Sequence, residues 1–205
     1  MAFKKGALLG VVAVLLVATT AQSITVVNAS FEEPVVTGGN FQSFFAGDAF
    51  PGWSIGGNGA EVFGAGRGLA SDGVQSLDLN RLAAGSISQT LSGFSVGRSY
   101  RVRFDVTGAP VSAPSQGPAT RVFDASIDGT TETFSVTPVG ERFEMRSFLF
   151  TASAPSATLS FAAVTGGSRG AILDDIEISA VPLPASALLL GGALGLLGLR
   201  RRLGG

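Results

Sequence analysis

The segment Tyr100-Arg101-Val102-Arg103-Phe104-Asp105-Val106 alternates without interruption: Tyr100, Val102, Phe104 and Val106 fall on one side, Arg101, Arg103 and Asp105 on the other. A period of two is the signature of a strand with one face buried and one in water; a helix would scatter the same residues around its circumference. Leu77-Asp78-Leu79 repeats the pattern in small, and Ile87 to Leu91, Phe123 to Ile127, Thr133 to Val136, Phe143 to Phe150, Thr158 to Ala162 and Ile172 to Ile178 are further β candidates. Between them stand the turn formers Asp72-Gly73, Ser92-Gly93, Asp128-Gly129 and Gly166-Gly167. Asp128-Gly129 predicts a tight hairpin, so its flanking runs should pair antiparallel. No window from Ile24 to Ala180 carries a helical period, and many short strands with glycine-rich turns predict an all-β sandwich or jelly roll. The proline-rich stretch Ala109 to Ala119 reads as an exposed loop, because strand-like pattern resumes directly after it.

Both ends of the chain depart from this pattern. Lys4 and Lys5 precede the apolar run Ala7 to Ala18, and small residues follow, as in a secretory signal peptide. Cleavage is expected after Ser23, with Ala21 as the near alternative, which makes 1–23 the signal peptide and the Sec translocon and signal peptidase its partners; a retained N-terminal anchor is the other reading. At the far end, Val181 to Leu199 runs 19 residues without a charge, close to the roughly 20 that cross a bilayer core, and Arg200, Arg201 and Arg202 follow. Cationic flanks stay on the cytoplasmic side, so the folded part would lie outside it.

Between these ends lies one domain's worth of chain, Ile24 to Ala180. It holds nine arginines, no lysine and all 15 acidic residues, a net charge of −6. Such a balance repels phosphate backbones, argues against nucleic acid as a partner, and attracts divalent cations. The chain has no cysteine and no histidine, which removes disulfides, thiolate metal sites, Ser-His-Asp and Cys-His catalysis and histidine-metal chemistry. A carboxylate-only glycosidase needs two acids about 5 to 10 Å apart; Asp78 and Asp105, each on the polar side of a strand, are the available pair. Solvated outward acids are the simpler reading, and the expectation is a protein that is not an enzyme. Gly56-Gly57-Asn58-Gly59 and Gly64-Ala65-Gly66-Arg67-Gly68 lack the Lys-Ser/Thr ending of a phosphate loop and read as loops.

Val181-Pro182-Leu183-Pro184-Ala185, the Gly/Leu/Ala-rich span and the terminal arginines resemble, in that order, the PEP-CTERM sorting signals of bacteria in their VPLPA variant. The common form has Glu between the prolines, where this chain has Leu183. The resemblance implies recognition of 181–205 by an exosortase-type transpeptidase, anchoring by the C-terminal helix before sorting, and a cell-surface or extracellular destination. A plain transmembrane anchor gives the same topology. Inside the domain, Asn28-Ala29-Ser30-Phe31-Glu32, Pro51-Gly52-Trp53, Asp72-Gly73-Val74-Gln75-Ser76-Leu77-Asp78-Leu79, Ile87-Ser88-Gln89-Thr90 and Asp174-Asp175-Ile176 are similar, in sequence order, to motifs of galactose-binding-like jelly rolls of the choice-of-anchor kind. That resemblance implies a jelly-roll β-sandwich over 24–180, a carbohydrate-binding-like role associated with exopolysaccharide or biofilm matrix, and often a calcium ion joining first strand to last. The second reading is a structural surface protein without a sugar ligand.

Two site readings follow. Glu32 and Glu33 near the start and Asp174 and Asp175 near the end place four carboxylates on strands that jelly rolls bring together. Calcium takes six to eight oxygen ligands. The expectation is a structural Ca²⁺ held by Glu32 and one of Asp174 or Asp175, with carbonyls from the Asp72 to Ser76 loop; solvated strand ends are the alternative. Trp53, the only tryptophan, is the candidate sugar-stacking residue if exposed, or an inward-packed plug if not. Tyr100 reads as core, while Phe44, Phe45 and Phe50 line a loop or bury locally.

Overall fold

A computed structural model describes residues 22–37, 40–110, 112–138 and 142–182. The expected signal peptide up to Ala21, and Leu183, Pro184, Ala185, the apolar span and Arg200, Arg201 and Arg202 of the expected sorting signal, lie outside the described residues. Among the described residues no helix is long and apolar enough to cross a membrane.

Thirteen strands account for most of the described chain: β1 (Ser23–Ile24), β2 (Phe41–Phe44), β3 (Ala49–Phe50), β4 (Trp53–Gly57), β5 (Ala60–Phe63), β6 (Ser76–Asp78), β7 (Gly85–Ser92), β8 (Ser99–Gly108), β9 (Arg121–Ile127), β10 (Thr130–Val136), β11 (Glu144–Thr151), β12 (Ser156–Ala163) and β13 (Ala171–Ala180). They form two antiparallel sheets. One is ordered β11-β8-β13-β6-β5-β2 with β1 added to β13; the other is ordered β10-β9-β12-β7-β4-β3. Strands far apart in sequence lie side by side, as in the jelly-roll class of sandwich.

The alternation in β8 sets its place. Tyr100, Val102, Phe104 and Val106 are all fully buried between the sheets, with β11 and β13 as neighbours. The core is aromatic: Phe104 meets Phe123, Phe134 and Phe161 edge-on at 5.1 to 5.9 Å, an arrangement that pairs ring edges with ring faces. Tyr100 is core as expected, and its hydroxyl accepts the Ser95 N–H at 2.8 Å. The Asp128-Gly129 hairpin is present: Ile127 pairs with Thr130, and both turn residues have positive φ, 50° and 77°, as a two-residue turn of type I′ requires.

β2 to β5 and β1 answer to none of the sequence-based strands. β5 reads Ala-Glu-Val-Phe with all four residues buried, so no alternation exists to detect. Its outer side is covered because the β5–β6 connection folds back over the sheet, and Leu69 packs there on Phe63, Ala109 and Ile172.

The two poles of the sandwich differ. At one, Gln22 and Val181 lie together: Ala180 N–H donates to Gln22 O and Val181 N–H to Ser99 O, while Gln22 Nε2 donates to Gly93 O. At the other gather the β4–β5, β6–β7, β8–β9 and β12–β13 connections, joined by Asn58 N–H to Ala84 O, Arg169 N–H to Gln116 O and Asn80 Nδ2 to Thr165 O.

Candidate functional site

The five sequence fragments of the opening reading meet around the segment 25–36, which runs along the sandwich without being a long strand. Asn28 takes a left-handed conformation (φ 52°), one that Asn tolerates better than most residues. Its amide then ties the turn: Oδ1 accepts Glu33 N–H, and Nδ2 donates to Glu33 O and Pro51 O. Phe31 drops into the core, fully buried. Gln89 behaves as a strand edge made of one side chain, its Oε1 accepting Val27 N–H at 2.8 Å and its Nε2 donating to Val27 O at 2.9 Å. Gln75 does the same work higher up, donating to Phe31 O and Pro34 O and accepting Val36 N–H. Gly52 is needed where it stands: φ is 80°, and a Cβ there would lie 2.8 Å from Val27 O. The motifs are thus the fastenings of one segment.

The acids expected to bind calcium are placed as follows. Glu32 and Asp174 both reach the 71–75 loop, as that reading required. They meet its amides and not its carbonyls. Glu32 Oε1 accepts Val74 and Gln75 N–H at 2.8 Å each. Asp174 Oδ2 accepts Ser71 and Asp72 N–H at 2.7 and 3.0 Å, and its Oδ1 accepts Asp175 N–H at 2.8 Å. Asp175 turns away to Arg103, 2.8 Å from Nη1. Amide hydrogens point their positive ends at Glu32 Oε1 and at both Asp174 oxygens, and among the described residues no group of three or more acidic side chains is placed to hold a metal ion. In this arrangement the residues do not fit calcium. Burial pushes the Asp174 carboxyl up to about 6, against the pull of the amides that bond it.

Trp53 is 4% exposed. Its ring packs on Phe31 at 5.8 Å and Phe161 at 6.4 Å, and its indole N–H donates to Asn28 O at 3.2 Å. A sugar ring needs an open indole face, and both neighbours are core residues; the inward-packed plug is the arrangement found. Trp53 nonetheless underlies an open depression of roughly 610 Å³ on the side of the β3–β4 hairpin, whose floor and rim also include Pro34, Phe50, Ile55, Asp48 and Ser54. Phe44 and Phe50 pack ring to ring at 4.7 Å. Phe45 is exposed and carries the Arg81 guanidinium 4.3 Å above its ring.

A group that sequence reasoning passed over lies at the loop-rich pole. Register places Ser43, Glu61, Asp78, Ile172 and Thr107 in one row across the first sheet, on its outer side. Asp78 read as a solvated strand acid; the loops folded over this face leave it fully buried. Its Oδ1 accepts Asn80 and Gly170 N–H at 2.9 Å each, and burial pushes its carboxyl up to about 8. Arg121, fully buried, donates from Nη2 to Ala109 O at 3.1 Å; burial pulls its guanidinium down, and Asp78 opposes that pull. Asp105 does not share this enclosure: β13 lies between it and Asp78, and it pairs with Arg103 at 3.5 Å. The signal that could have revealed the group is Arg121, an arginine in phase with Phe123, Ala125 and Ile127 on the buried side of β9.

The described domain is therefore a two-sheet jelly-roll sandwich with a shallow lateral depression and a polar, enclosed pole. No protein family and no curated protein matches the chain. Solved structures share the fold. A cyclase from Fischerella sp. TAU is 17% identical with a TM-score of 0.61, covering 80% of this chain and 100% of its own. The Stig cyclase Fisc from the same source, solved with (3Z)-3-(1-methyl-2-pyrrolidinylidene)-3H-indole, gives 17%, 0.59 and the same coverage. The module TmCBM61, solved with beta-1,4-galactotriose, is 14% identical with a TM-score of 0.47, over 74% of this chain and 94% of its own. At these identities the likeness to the two cyclases is one of fold.

Proposed function

We propose that this chain is a non-catalytic, exported surface protein whose sandwich binds carbohydrate in the depression beside the β3–β4 hairpin. The observation that carries the reading is the make-up of that depression. Pro34, Phe50, Ile55 and Trp53 are among its apolar lining residues, and Asp48 and Ser54 are its hydrogen-bonding side chains. A concave, mostly apolar surface with a few placed polar groups suits one hydrophobic face and the hydroxyl edge of a sugar. The motif order within 24–180 supports the same reading, and the two charged, apolar chain ends support export, sorting by an exosortase-type transpeptidase and association with exopolysaccharide or biofilm matrix.

A glycan array tests this with Ser54→Tyr, which fills the depression from an exposed strand position, and with Asp48→Asn. Selective binding lost in Ser54→Tyr supports the proposal; binding unchanged in both variants removes it. A second reading, a structural surface protein without a sugar ligand, is favoured by the fastening role of the motif residues and predicts an array blank for the unmodified protein.

A further inference from the structure

Strand β11 is an open edge. It ends the first sheet, and among the described residues only β8 pairs with it. Its eight residues run against β8 in unbroken register, from Glu144 opposite Val106 to Thr151 opposite Ser99. They include no proline, lysine or bulge, the devices that commonly blunt an exposed edge. The other edges are blunted. β1, β2 and β3 are only two, four and two residues long, and β10 carries the acid Glu132 on its inward side, opposite buried Ala125. The inward charges of β11, Glu144 and Arg146, hold each other at 2.7 Å and cancel.

The ladder decides which groups of β11 face outward. Ala152 N–H donates to Arg98 O at 3.0 Å, one step past the end of the β11–β8 pairing, and on the other side of β8 Val181 N–H donates to Ser99 O at 2.9 Å. Hydrogen-bonded pairs alternate along an antiparallel ladder. The even residues of β11 therefore bond β8, and the N–H and C=O groups of Met145, Ser147 and Leu149 point to the open edge. Their side chains lie on the outer face, opposite to buried Phe148 and Phe150, with Met145 56% and Leu149 53% exposed. A second β11 laid antiparallel about Ser147 uses all of these features. Ser147 then faces Ser147, and on either side of it Met145 faces Leu149, each pair exchanging two hydrogen bonds. Sliding the register one way sets Arg146 against Arg146, and like charges directly opposite destabilise a strand pair. Sliding it the other way sets Leu149 against Ser147 and Met145 against Thr151, so apolar no longer meets apolar. β8 places Asp105 beside Met145 and Arg101 beside Leu149. Each outer row across the seam thus reads Asp105, Met145, Leu149, Arg101, with an acid at one end and a base at the other, a charge pattern complementary to itself.

We propose that β11 is the docking edge for a second copy of this chain, paired antiparallel about Ser147. Thr151 lies opposite Ser99, whose carbonyl holds Val181, so this pairing sets the two terminal poles at opposite ends of the pair. On the C-terminal anchoring of the proposed function, two anchored copies then pair only from facing surfaces. The chain has no cysteine, so a single introduced thiol can link only to another copy. The test uses the full chain in a non-ionic detergent, oxidised with copper phenanthroline. Ser147→Cys should link to itself, because opposite residues of such a pair lie about 5.5 Å apart at Cα, within disulfide reach. Leu149→Cys should lose that self-link, its mate lying about 13 Å along the strand, yet should link to Met145→Cys when the two are mixed. Ser147→Pro removes no bond to β8, because the Ser147 N–H faces outward, where an edge strand tolerates proline. It should keep its circular dichroism and show the light-scattering mass of one chain where the unmodified protein shows two. No link in Ser147→Cys, equal self-linking of Ser147→Cys and Leu149→Cys, or a folded Ser147→Pro that still pairs overturns the proposal; the cysteine variants decide it if Ser147→Pro does not fold. Phosphatidylcholine vesicles carrying the full chain should cluster, and those carrying Ser147→Pro should not. Linked copies without clustering would leave the edge pairing standing and remove the anchoring, so the two readings fail separately.

Discussion

Asp78→Asn should change how the stability of this domain depends on pH. The folded carboxyl holds its proton up to about pH 8, against an ordinary value of 3.8. In the unfolded chain the same group ionises near its ordinary value. Across that interval the folded state binds more protons than the unfolded one, so stability falls as pH rises. The contribution is fully present below 3.8 and is lost by about 8. Asp174, pushed up to about 6, acts with the same sign but has finished titrating by neutrality. Over the window from pH 6 to 8 Asp78 is therefore the larger contributor, with Asp174 adding only the tail of its titration below pH 7. Two pH units at about 1.4 kcal/mol each, less the rounding near the midpoint, give a loss of about 2 kcal/mol. With no histidine or cysteine in the chain, no other side chain's ordinary pKa falls in that window. Glu61, raised by burial beside Asp78, is separated by a parallel Glu61→Gln series. The assay is urea unfolding at pH 6, 7 and 8, followed by the fluorescence of the single buried Trp53. The midpoint of the unmodified protein should fall with pH while that of Asp78→Asn stays nearly level, the slope m being unchanged in both. Parallel pH profiles for the two proteins would show that Asp78 ionises normally, and the enclosure argued for it would be wrong.

Trp53→Ala should cost about 3 to 5 kcal/mol, because it empties a core position between Phe31 and Phe161; its urea unfolding is followed by circular dichroism because the fluorescent reporter is gone, and a loss under about 1 kcal/mol would mean the ring is not packed as described. Asp174→Asn replaces one oxygen by an NH₂ that faces backbone N–H donors, and should lose about 1 to 3 kcal/mol in the same denaturation assay. Calcium added to the chelator-treated protein should leave its melting temperature where it was, since amides already bond Glu32 Oε1 and both Asp174 oxygens; a rise with calcium would show that the loop re-forms around the ion. Intact-mass measurement of the protein recovered from outside the cell should find Ile24, or Gln22 by the alternative cut, as its first residue; an uncut N-terminus would remove the proposed export.

Strands with one wet face were legible, and those without were not. β8 declared itself because Arg101 is exposed and Arg103 half-exposed while Tyr100 and Phe104 are buried. β5 was silent because both of its faces are covered. The same covering misled the reading of Asp78: an acid alternating with Leu77 and Leu79 looks solvated until a loop from elsewhere in the chain lies on it. The convergence of Glu32, the 71–75 loop and Asp174 was foreseen from the order of the motifs. That their contacts would be amide N–H groups was not, since motif order says which segments meet and nothing about which way a peptide plane turns.

Periodicity, glycine placement and the roster of absent residue types are local properties, so the amino-acid order alone determined that this chain makes strands, turns at Asp128-Gly129, and does without histidine or thiol chemistry. Whether a given polar side chain meets water, an amide or a sealed interior depends on segments a hundred residues away, and only tertiary packing decided it. Asp78 and Asp105 differ for that reason: both alternate with apolar neighbours, yet one is roofed by loops and the other stands beside Arg103.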